Sequence, residues 1–322
     1  MFNNASFTFR YYSSGVLVDP LSDVLSLLNV KSVLSARLEV AGNWSMRFPA
    51  YRHLKFGGVL EGSFWLWVER AGPPVRLDAG DFYLLTSGQP YLSASDPVIA
   101  PLDGSEIFAR YQCADGVVRY GAGEKPVVAT GGRFEFDDDT SPVLMKLLPP
   151  LIHVRAASES ARSLRPVLDL LGLETKSIRA GRSAMAASLA NIVLVEILRA
   201  YIDEVQPVPG WLSALGDLKI GAALHLMHGD IGKGWTVREL AAAVGMSRTN
   251  FAIRFKALVG MPPLDYLTRW RMSVASLALR HGNDPIATVA TRVGYASDSA
   301  FSSAFKRTFG RSPRHYWIKP KD

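Results

Sequence analysis

The sequence of 322 residues has little cysteine and no obvious membrane signal: its single cysteine, Cys113, permits no intrachain disulfide. The amino terminus, MFNNASFTFRYYSSG, has no basic start followed by an apolar run, so we expect no secretory signal. The most apolar stretch, NIVLVEILRAYI, is interrupted by Glu196 and Arg199, which argues against a membrane helix. We therefore expect a cytoplasmic protein that contacts no membrane.

The excess of positive over negative charge is confined to the last third of the chain. The net charge is +7, yet residues 210–322 hold 16 Lys or Arg against 7 Asp or Glu, whereas residues 1–209 hold 20 against 22. The Pro-rich stretch QPVPG at 206–210 separates the two parts and predicts a linker. A basic excess in the last third alone favours a polyanionic partner for that third, most often nucleic acid.

The periodicity of apolar residues changes along the chain. The first 140 residues form short β-rich runs with Gly, Pro and Asp every 8–12 residues, as in a small sandwich or barrel. Helical spacing follows over about 141–205 and includes a helix at 183–204 with little polar face, which predicts burial or packing against a partner chain. Residues 211–319 show helical signals throughout, so the sequence predicts an α+β multidomain protein.

A repeat links two segments of the helical part. Shifting the sequence by 50 residues aligns SRTNFAIRFKALVG (247–260) with SDSAFSSAFKRTFG (297–310), which share a serine cap, two phenylalanines, a lysine and a final glycine. With the short helices before them, these segments predict helix-turn-helix units at 236–258 and 285–309, joined by a helix over about 262–281. That helix, near 27 Å long, would let two reading helices enter successive major-groove segments about 34 Å apart. The alternative is a purely structural duplication, as in helical-repeat proteins.

Helical geometry divides each repeated segment into two faces. At about 100° per residue, one face carries Phe251, Phe255 and Leu258, or Phe301, Phe305 and Thr308, and is predicted to be core. The opposite faces differ between the copies, as two readers of different base sequences require. The base-facing candidates are Thr249, Ala252, Ile253, Ser299, Ser302 and Ser303. The candidates for phosphate or flanking contacts are Arg248, Asn250, Arg254, Lys256, Asp298, Lys306, Arg307 and Arg311.

Two blocks of the last third resemble the AraC/XylS family of bacterial transcription regulators. They are WTVRELAAAVGMSRTNFAIRFKALVGMPPLDYL and PIATVATRVGYASDSAFSSAFKRTFGRSPRHYW, within about 217–319. The resemblance implies double-stranded DNA as a partner, RNA polymerase as a further candidate partner, a homodimer, and base contacts from the six candidates named above. Long polar side chains are common at those positions in the family, whereas Ala252 and Ile253 suit thymine methyl groups.

The first 205 residues resemble, more loosely, the cupin-type sensing domain of one branch of this family. The resemblance rests on RFPAYRHLKFGGVLEGSFWLWV, VRLDAGDFYLL and GGRFEFDD, and it implies a small-molecule effector and a helical dimerisation segment. Metal-binding cupins use His-x-His and Glu in the first motif and a later His. Here the first motif offers only His53 and Tyr91 stands at the later position, while His225 and His228 have no third ligand nearby. We expect no metal and no cofactor.

The sequence thus predicts an amino-terminal cupin-like β-barrel with a helical dimerisation segment (1–205) and a carboxy-terminal all-α double helix-turn-helix domain (211–319). The expected function is sequence-specific regulation of transcription, of the activating kind and under small-molecule control, and not catalysis. Two alternatives remain open at this point. One is a cupin enzyme that carries a DNA-binding tail, and the other is an architectural protein that binds DNA without sequence preference.

Overall fold

The computed structural model describes residues 19–27, 31–135, 148–176, 180–204, 211–281 and 284–314. These residues form two compact units. The β unit comprises the described residues between 31 and 135 and between 148 and 204. The helical unit comprises residues 19–27 together with those from 211 to 314. The predicted linker at 206–210 lies outside the described residues.

The β unit contains eleven strands and three α-helices in the described ranges. The strands are β1 (Lys31–Ala41), β2 (Ser45–Phe48), β3 (Leu54–Glu61), β4 (Ser63–Val68), β5 (Val75–Asp78), β6 (Phe82–Leu85), β7 (Tyr91–Ala94), β8 (Leu102–Asp103), β9 (Val117–Gly121), β10 (Val127–Glu135) and β11 (Leu151–Val154). After α1 (Pro20–Leu27), which belongs to the helical unit, the helices are α2 (Gly104–Tyr111), α3 (Leu164–Lys176) and α4 (Arg182–Glu204).

The strands form two sheets that share one core. The six-stranded sheet has the order β11-β6-β3-β10-β1-β9, and the five-stranded sheet has the order β5-β4-β7-β2-β8. Strand β4 buries Phe64, Leu66 and Val68 and leaves its two tryptophans half-exposed, as the alternation of side chains in a strand requires. The core joins these residues to Val59 and Leu85 of the other sheet. The predicted β-rich unit is therefore present, and its closure into a barrel stays a prediction.

One part of the predicted helical segment is a strand. Residues 151–154 form β11, which pairs antiparallel with β6 and buries Ile152 and Val154. The helix prediction was wrong here because Pro149 and Pro150 cannot donate backbone hydrogen bonds, and the following residues alternate with period two. Residues 141–147 of the same prediction lie outside the described residues. Within the same predicted segment, the structure forms α3 over Leu164–Lys176 and α4 over Arg182–Glu204, and α4 matches the helix predicted at 183–204.

Helix α4 is the most apolar helix of the β unit. It packs against α3 and β1. Within the described ranges it is the one helix long and apolar enough to cross a bilayer, judged by length and composition alone, and half of its most apolar window is buried. Buried core helices meet the same criterion, so this is weak evidence for a membrane span.

The last third is all-α in its described residues, as predicted. After α5 (Trp211–Leu215) and α6 (Leu218–Gly229), the first helix-turn-helix comprises α7 (Val237–Ala243) and α8 (Arg248–Val259). Helix α9 (Pro263–His281) connects it to the second, which comprises α10 (Ile286–Arg292) and α11 (Asp298–Phe309). Residues 315–319 of the predicted domain lie outside the described residues.

Helix α1 packs with the helical unit, against α5, α6 and α9, whereas we expected residues 1–205 to form one unit. It buries Leu21 and Val24 there, and its Asp23 is bonded to His228. Such long-range packing leaves no local pattern, and only residues 28–30 separate α1 from β1.

Candidate nucleic-acid interface

The reading helices of the two helix-turn-helix units are capped in the same way, and the first unit has a further cap at the start of α7. Thr236 and Glu239 form a capping box at the start of α7, in which the Glu239 amide donates to Thr236 Oγ1 at 3.1 Å and the Thr236 amide donates to Glu239 Oε2 at 2.8 Å. At the start of α8, the Ser247 hydroxyl accepts a hydrogen bond from the Asn250 amide at 3.3 Å. At the start of α11, the Ser297 hydroxyl accepts one from the Ala300 amide at the same distance of 3.3 Å. The predicted serine caps are therefore confirmed.

Glycines at equivalent places make the turns and end the reading helices. Gly245 and Gly294 have φ of 63° and 81°, and Gly260 and Gly310 have φ of 84° and 74°. These left-handed conformations favour glycine. At the start of α10 the cap residue is Pro285, which makes no side-chain cap hydrogen bond, and the neighbouring Asp284 carboxylate accepts from Arg292 at 2.8 Å.

The phenylalanine pairs are core in both copies. Phe251 and Phe255, like Phe301 and Phe305, are fully buried. Their ring centroids are 5.6 Å and 5.7 Å apart, and their planes meet at 55° and 52°. The two copies thus reproduce one packing geometry.

The third core position in each copy differs from the prediction. Val259 and Ala304 are buried, whereas Leu258 and Thr308 are half-buried. The Thr308 hydroxyl donates to the Ala304 carbonyl at 3.0 Å, which satisfies it without burial. The buried position lies one residue after the predicted one in the first copy and four residues, about one helical turn, before it in the second.

The predicted base-facing side chains lie on the outward faces of α8 and α11. Thr249, Ile253, Ser299 and Ser303 are exposed, and Ala252 and Ser302 are half-buried. Ile253 is 64% exposed, which is unusual for an isoleucine. An apolar side chain held out on a reading helix fits contact with an apolar group such as a thymine methyl.

All eight predicted flanking residues are exposed on the same two helices or just after them. They are Arg248, Asn250, Arg254, Lys256, Asp298, Lys306, Arg307 and Arg311. A cation that stays in water until DNA arrives suits phosphate binding, because neutralising phosphates releases counterions from the DNA.

Arg254 is the exception among the predicted phosphate contacts. Its Nε and Nη2 donate to Asp217 Oδ2 at 2.9 Å and 2.5 Å. Asp217 also caps α6 by accepting the amides of Lys219 and Ile220, each at 3.0 Å. Burial of the Asp217 carboxylate by itself would raise its pKa, but these hydrogen bonds and Arg254 together hold the pKa below its usual value. Arg254 therefore braces α8 against the start of α6, a role that no local sequence pattern indicated.

His228 forms a second bridge that the sequence did not reveal. It is fully buried, with Nδ1 3.1 Å from Asp23 Oδ2 and Nε2 2.8 Å from the Tyr266 hydroxyl, and it stacks on Trp270 at 3.7 Å. Burial lowers its pKa, although Asp23 acts in the opposite direction. Both ring nitrogens have partners, so His228 ties α1 and α6 to the connecting helix α9.

The histidines form no metal centre in the part of the chain that the structure describes, where no group of three or more His, Cys, Asp or Glu is placed to hold an ion. His53 is half-buried beside Tyr51, with ring centroids 5.4 Å apart. Burial lowers its pKa.

Comparison with known proteins decides the family. Residues 19–203 match the cupin family and residues 240–317 match a helix-turn-helix domain family. A putative AraC-like transcription regulator of Streptomyces lividans is 41% identical over 94% of this chain and 99% of its own length. The chain belongs to the AraC-like transcription regulators. It is therefore a DNA-binding regulator with an amino-terminal cupin domain and not an enzyme, which removes the cupin-enzyme alternative.

Other known proteins are similar to this AraC-type regulator. The HTH-type transcriptional regulator AlkR of Acinetobacter baylyi is 30% identical over 93% of the chain and 99% of its own length. Among solved structures, the DNA-binding domain of AdpA in complex with a target DNA is 31% identical and covers 30% of this chain and 86% of that one, with a TM-score of 0.29.

Proposed function

We propose that the regulator reads a specific DNA site with both α8 and α11. The base contacts would come from Thr249, Ala252 and Ile253 in the first copy and from Ser299, Ser302 and Ser303 in the second. The observation that carries the proposal is the contrast between the copies: their buried residues repeat one geometry, while their outward residues differ.

Affinity would come from phosphates flanking the base contacts. Lys256 and Lys306 are the one outward pair that is identical in both copies, and both are exposed. Arg248, Arg307 and Arg311 add positive charge beside them, and Asn250 and Asp298 would flank the same contacts. Phosphate contacts position a protein on DNA without reading its sequence. The lysine that both copies share suits a phosphate contact, and the outward residues that differ between the copies suit contacts with bases.

A homodimer is supported by an apolar surface on the β unit. Leu170 and Leu173 of α3 and Met185 and Ile192 of α4 are 46–56% exposed, and α3 packs on α4. Met185 and Ile192 are seven residues apart and share one face of α4. Exposed apolar side chains gathered on two adjacent helices indicate a protein contact, and a second copy of the same helices would cover them.

Control by a small molecule bound in the cupin domain completes the proposal. Such an effector would act by binding the active and inactive arrangements with different affinity. An activating regulator of this kind would also contact RNA polymerase, and it would work in the cytoplasm, where it reaches chromosomal DNA.

Selection of bound sites from random duplex DNA with the full chain tests the reading of bases. One preferred site with two recognition segments is expected, whereas binding without any preferred site would support the architectural alternative. Ser303→Ala should change the preference at one or two base pairs, and Ile253→Ser should relax a preference for thymine. Ser105→Ala, at an exposed serine of α2, is the matched control and should leave the selected site unchanged. A uniform loss of affinity with Ser303→Ala would contradict its role as a base reader.

A further inference from the structure

Lys55 lies on β3 with its side chain directed between the two sheets. Its cross-strand neighbour in the six-stranded sheet is Leu85, which is fully buried in the core that the sheets share. The Lys55 ammonium is 3.1 Å from the Tyr91 hydroxyl of β7, in the opposite sheet. The side chain thus spans the inside of the cupin domain.

Three aromatic rings surround this ammonium. Lys55 Nζ lies 4.8 Å, 5.1 Å and 5.4 Å from the ring centroids of Tyr91, Tyr51 and Phe48. Phe48 stacks on Tyr91 at 4.7 Å, and Tyr51 meets Tyr91 edge-on at 5.9 Å. We call Phe48, Tyr51 and Tyr91 the aromatic cage.

The caged ammonium lacks a counter-charge. Among the described residues no carboxylate forms an ion pair with Lys55, and the charged group that acts on it most is another cation, Arg133, which is its neighbour on β10. Burial, reinforced by Arg133, lowers the pKa of Lys55 to about 8, so most molecules carry the charge at pH 7. The faces of the rings offset only part of the cost of burying an unpaired cation.

The cage also contains an unused hydrogen-bond donor. The Tyr51 hydroxyl is buried and makes no hydrogen bond with the described residues; Ser87 and Gly88 lie close enough to lower its pKa, but burial dominates and raises it to about 12. A buried hydroxyl left without an acceptor is costly, and native proteins contain few. The cage therefore offers a cation and a neutral donor, and the cation lies 5.1 Å from the centroid of the ring that carries the donor.

Other aromatic residues lie beside the cage, and Lys55 itself is only half-buried. Tyr83 of β6 is also half-buried, and burial raises its pKa to about 12. A methyl group at Gly57 would lie 2.4 Å from the Tyr83 hydroxyl, so this glycine leaves the space in which the ring lies. Phe108 packs edge-on against Phe48 at 5.5 Å.

We propose that Lys55 and the aromatic cage form the effector site and bind a small apolar carboxylate. One carboxylate oxygen would accept from Lys55 Nζ and the other from the Tyr51 hydroxyl, while the apolar body would lie against the rings. A neutral ligand would leave the ammonium uncompensated, and a cation would be repelled by Lys55 and Arg133. The assignment rests on the proposed control by a small molecule and names the chemical class of that effector.

Calorimetric titration of the full chain tests the site directly. Benzoate and hexanoate serve as probes, and benzamide and hexanamide are their neutral counterparts of similar shape. The carboxylates should bind about tenfold or more tightly than the amides, because an amide oxygen can accept a hydrogen bond from Lys55 but carries no negative charge to pair with the ammonium. Equal binding of acids and amides, or no binding of any probe, would overturn the proposal.

Two variants locate the binding. Lys55→Met keeps the length of the side chain and removes the charge, and it should weaken carboxylate binding about tenfold or more. Lys125→Met, at an exposed lysine of the same unit, is the matched control and should bind as the parent does. Tyr51→Phe should give a smaller loss. In the parent chain, carboxylate binding should also raise the Lys55 pKa from about 8, as followed by NMR of labelled lysine side chains. An unchanged Lys55 pKa would contradict direct pairing even if Lys55→Met failed to fold.

Failure here is separable from failure of the proposed regulation. If carboxylates bind at Lys55 but leave the affinity for the selected DNA site unchanged, the ligand site stands and its control of DNA binding is refuted. If no preferred DNA site exists, the reading of bases by α8 and α11 is refuted while the calorimetric result is unaffected. Carboxylate binding that survives Lys55→Met would refute the cage and leave the DNA proposal intact.

Discussion

Lys306 and Arg254 were assigned the same role from the sequence, and the structure now separates them. Lys306 extends from the outward face of α11 into solvent. Arg254 is held by Asp217 through two hydrogen bonds to one carboxylate oxygen. We therefore expect Lys306→Ala to remove a phosphate contact and Arg254→Ala to remove mainly an internal brace.

The size of the difference follows from counterion release. Each phosphate contact adds about 0.9 to the slope of log affinity against log salt concentration, so a fourfold rise in salt weakens that contact about 3.5-fold. Lys306→Ala should lower the slope by this amount on the selected site and on unrelated DNA alike. Arg254→Ala should lower it by less than about half as much, because the guanidinium must leave Asp217 before it can bind a phosphate.

Fluorescence anisotropy with labelled duplexes between about 50 and 200 mM salt measures these slopes. Lys125→Ala in the β unit is the control for a general change of charge, and it should leave the slope as it is. An unchanged slope for Lys306→Ala would refute its phosphate contact. Equal losses for Lys306→Ala and Arg254→Ala would refute the inference that Asp217 withholds Arg254 from DNA.

Three further predictions concern stability. Phe251→Ala and Phe301→Ala should each reduce the free energy of unfolding by about 3–5 kcal/mol in urea titrations, because both rings are fully buried; a loss in one copy only would contradict their structural equivalence. Because the pKa of His228 is lowered in the folded protein, the unfolded chain takes up a proton at this residue first as the pH falls. The free energy of unfolding should therefore be at its full value above the ordinary pKa of 6.5 and should decrease below it. His228→Asn should reduce this decrease between about pH 7.5 and 5.5. Gly57→Ala should cost about 1–3 kcal/mol in thermal or urea unfolding, since its methyl would overlap the Tyr83 ring. If Gly57→Ala leaves the free energy of unfolding unchanged, the Tyr83 ring moves aside at no cost and this reasoning is refuted.

Local rules predicted the elements whose causes are local. The serine caps, the left-handed glycines and the buried phenylalanine pairs of α8 and α11 follow from residues within one turn of each other. The alternation of side chains in β4 explains in the same local way why Phe64, Leu66 and Val68 share one buried face. Because one copy could be compared with the other, the chain itself separated scaffold from outward residues.

Contacts between distant residues could not be read in this way. The strand β11 depends on pairing with β6, and α1 depends on packing against helices some 200 residues away. Arg254 looked like a phosphate ligand because its partner Asp217 lies 37 residues earlier. No sequence pattern marked Lys55, since its cage combines Phe48 and Tyr51, just before β3, with Tyr91, which lies 36 residues after Lys55.

By itself, the sequence determined that this chain has a β-rich part and a basic helical part with a duplicated helix-turn-helix, because hydrophobic periodicity, capping and charge act over a few residues. Only the tertiary structure decided which charged groups are already paired inside the protein and which are left to bind something else. That difference depends on burial and distance, which arise when segments far apart in the chain pack together. It gives Arg254 and His228 internal partners, and it leaves Lys55 as an enclosed cation without a counter-charge.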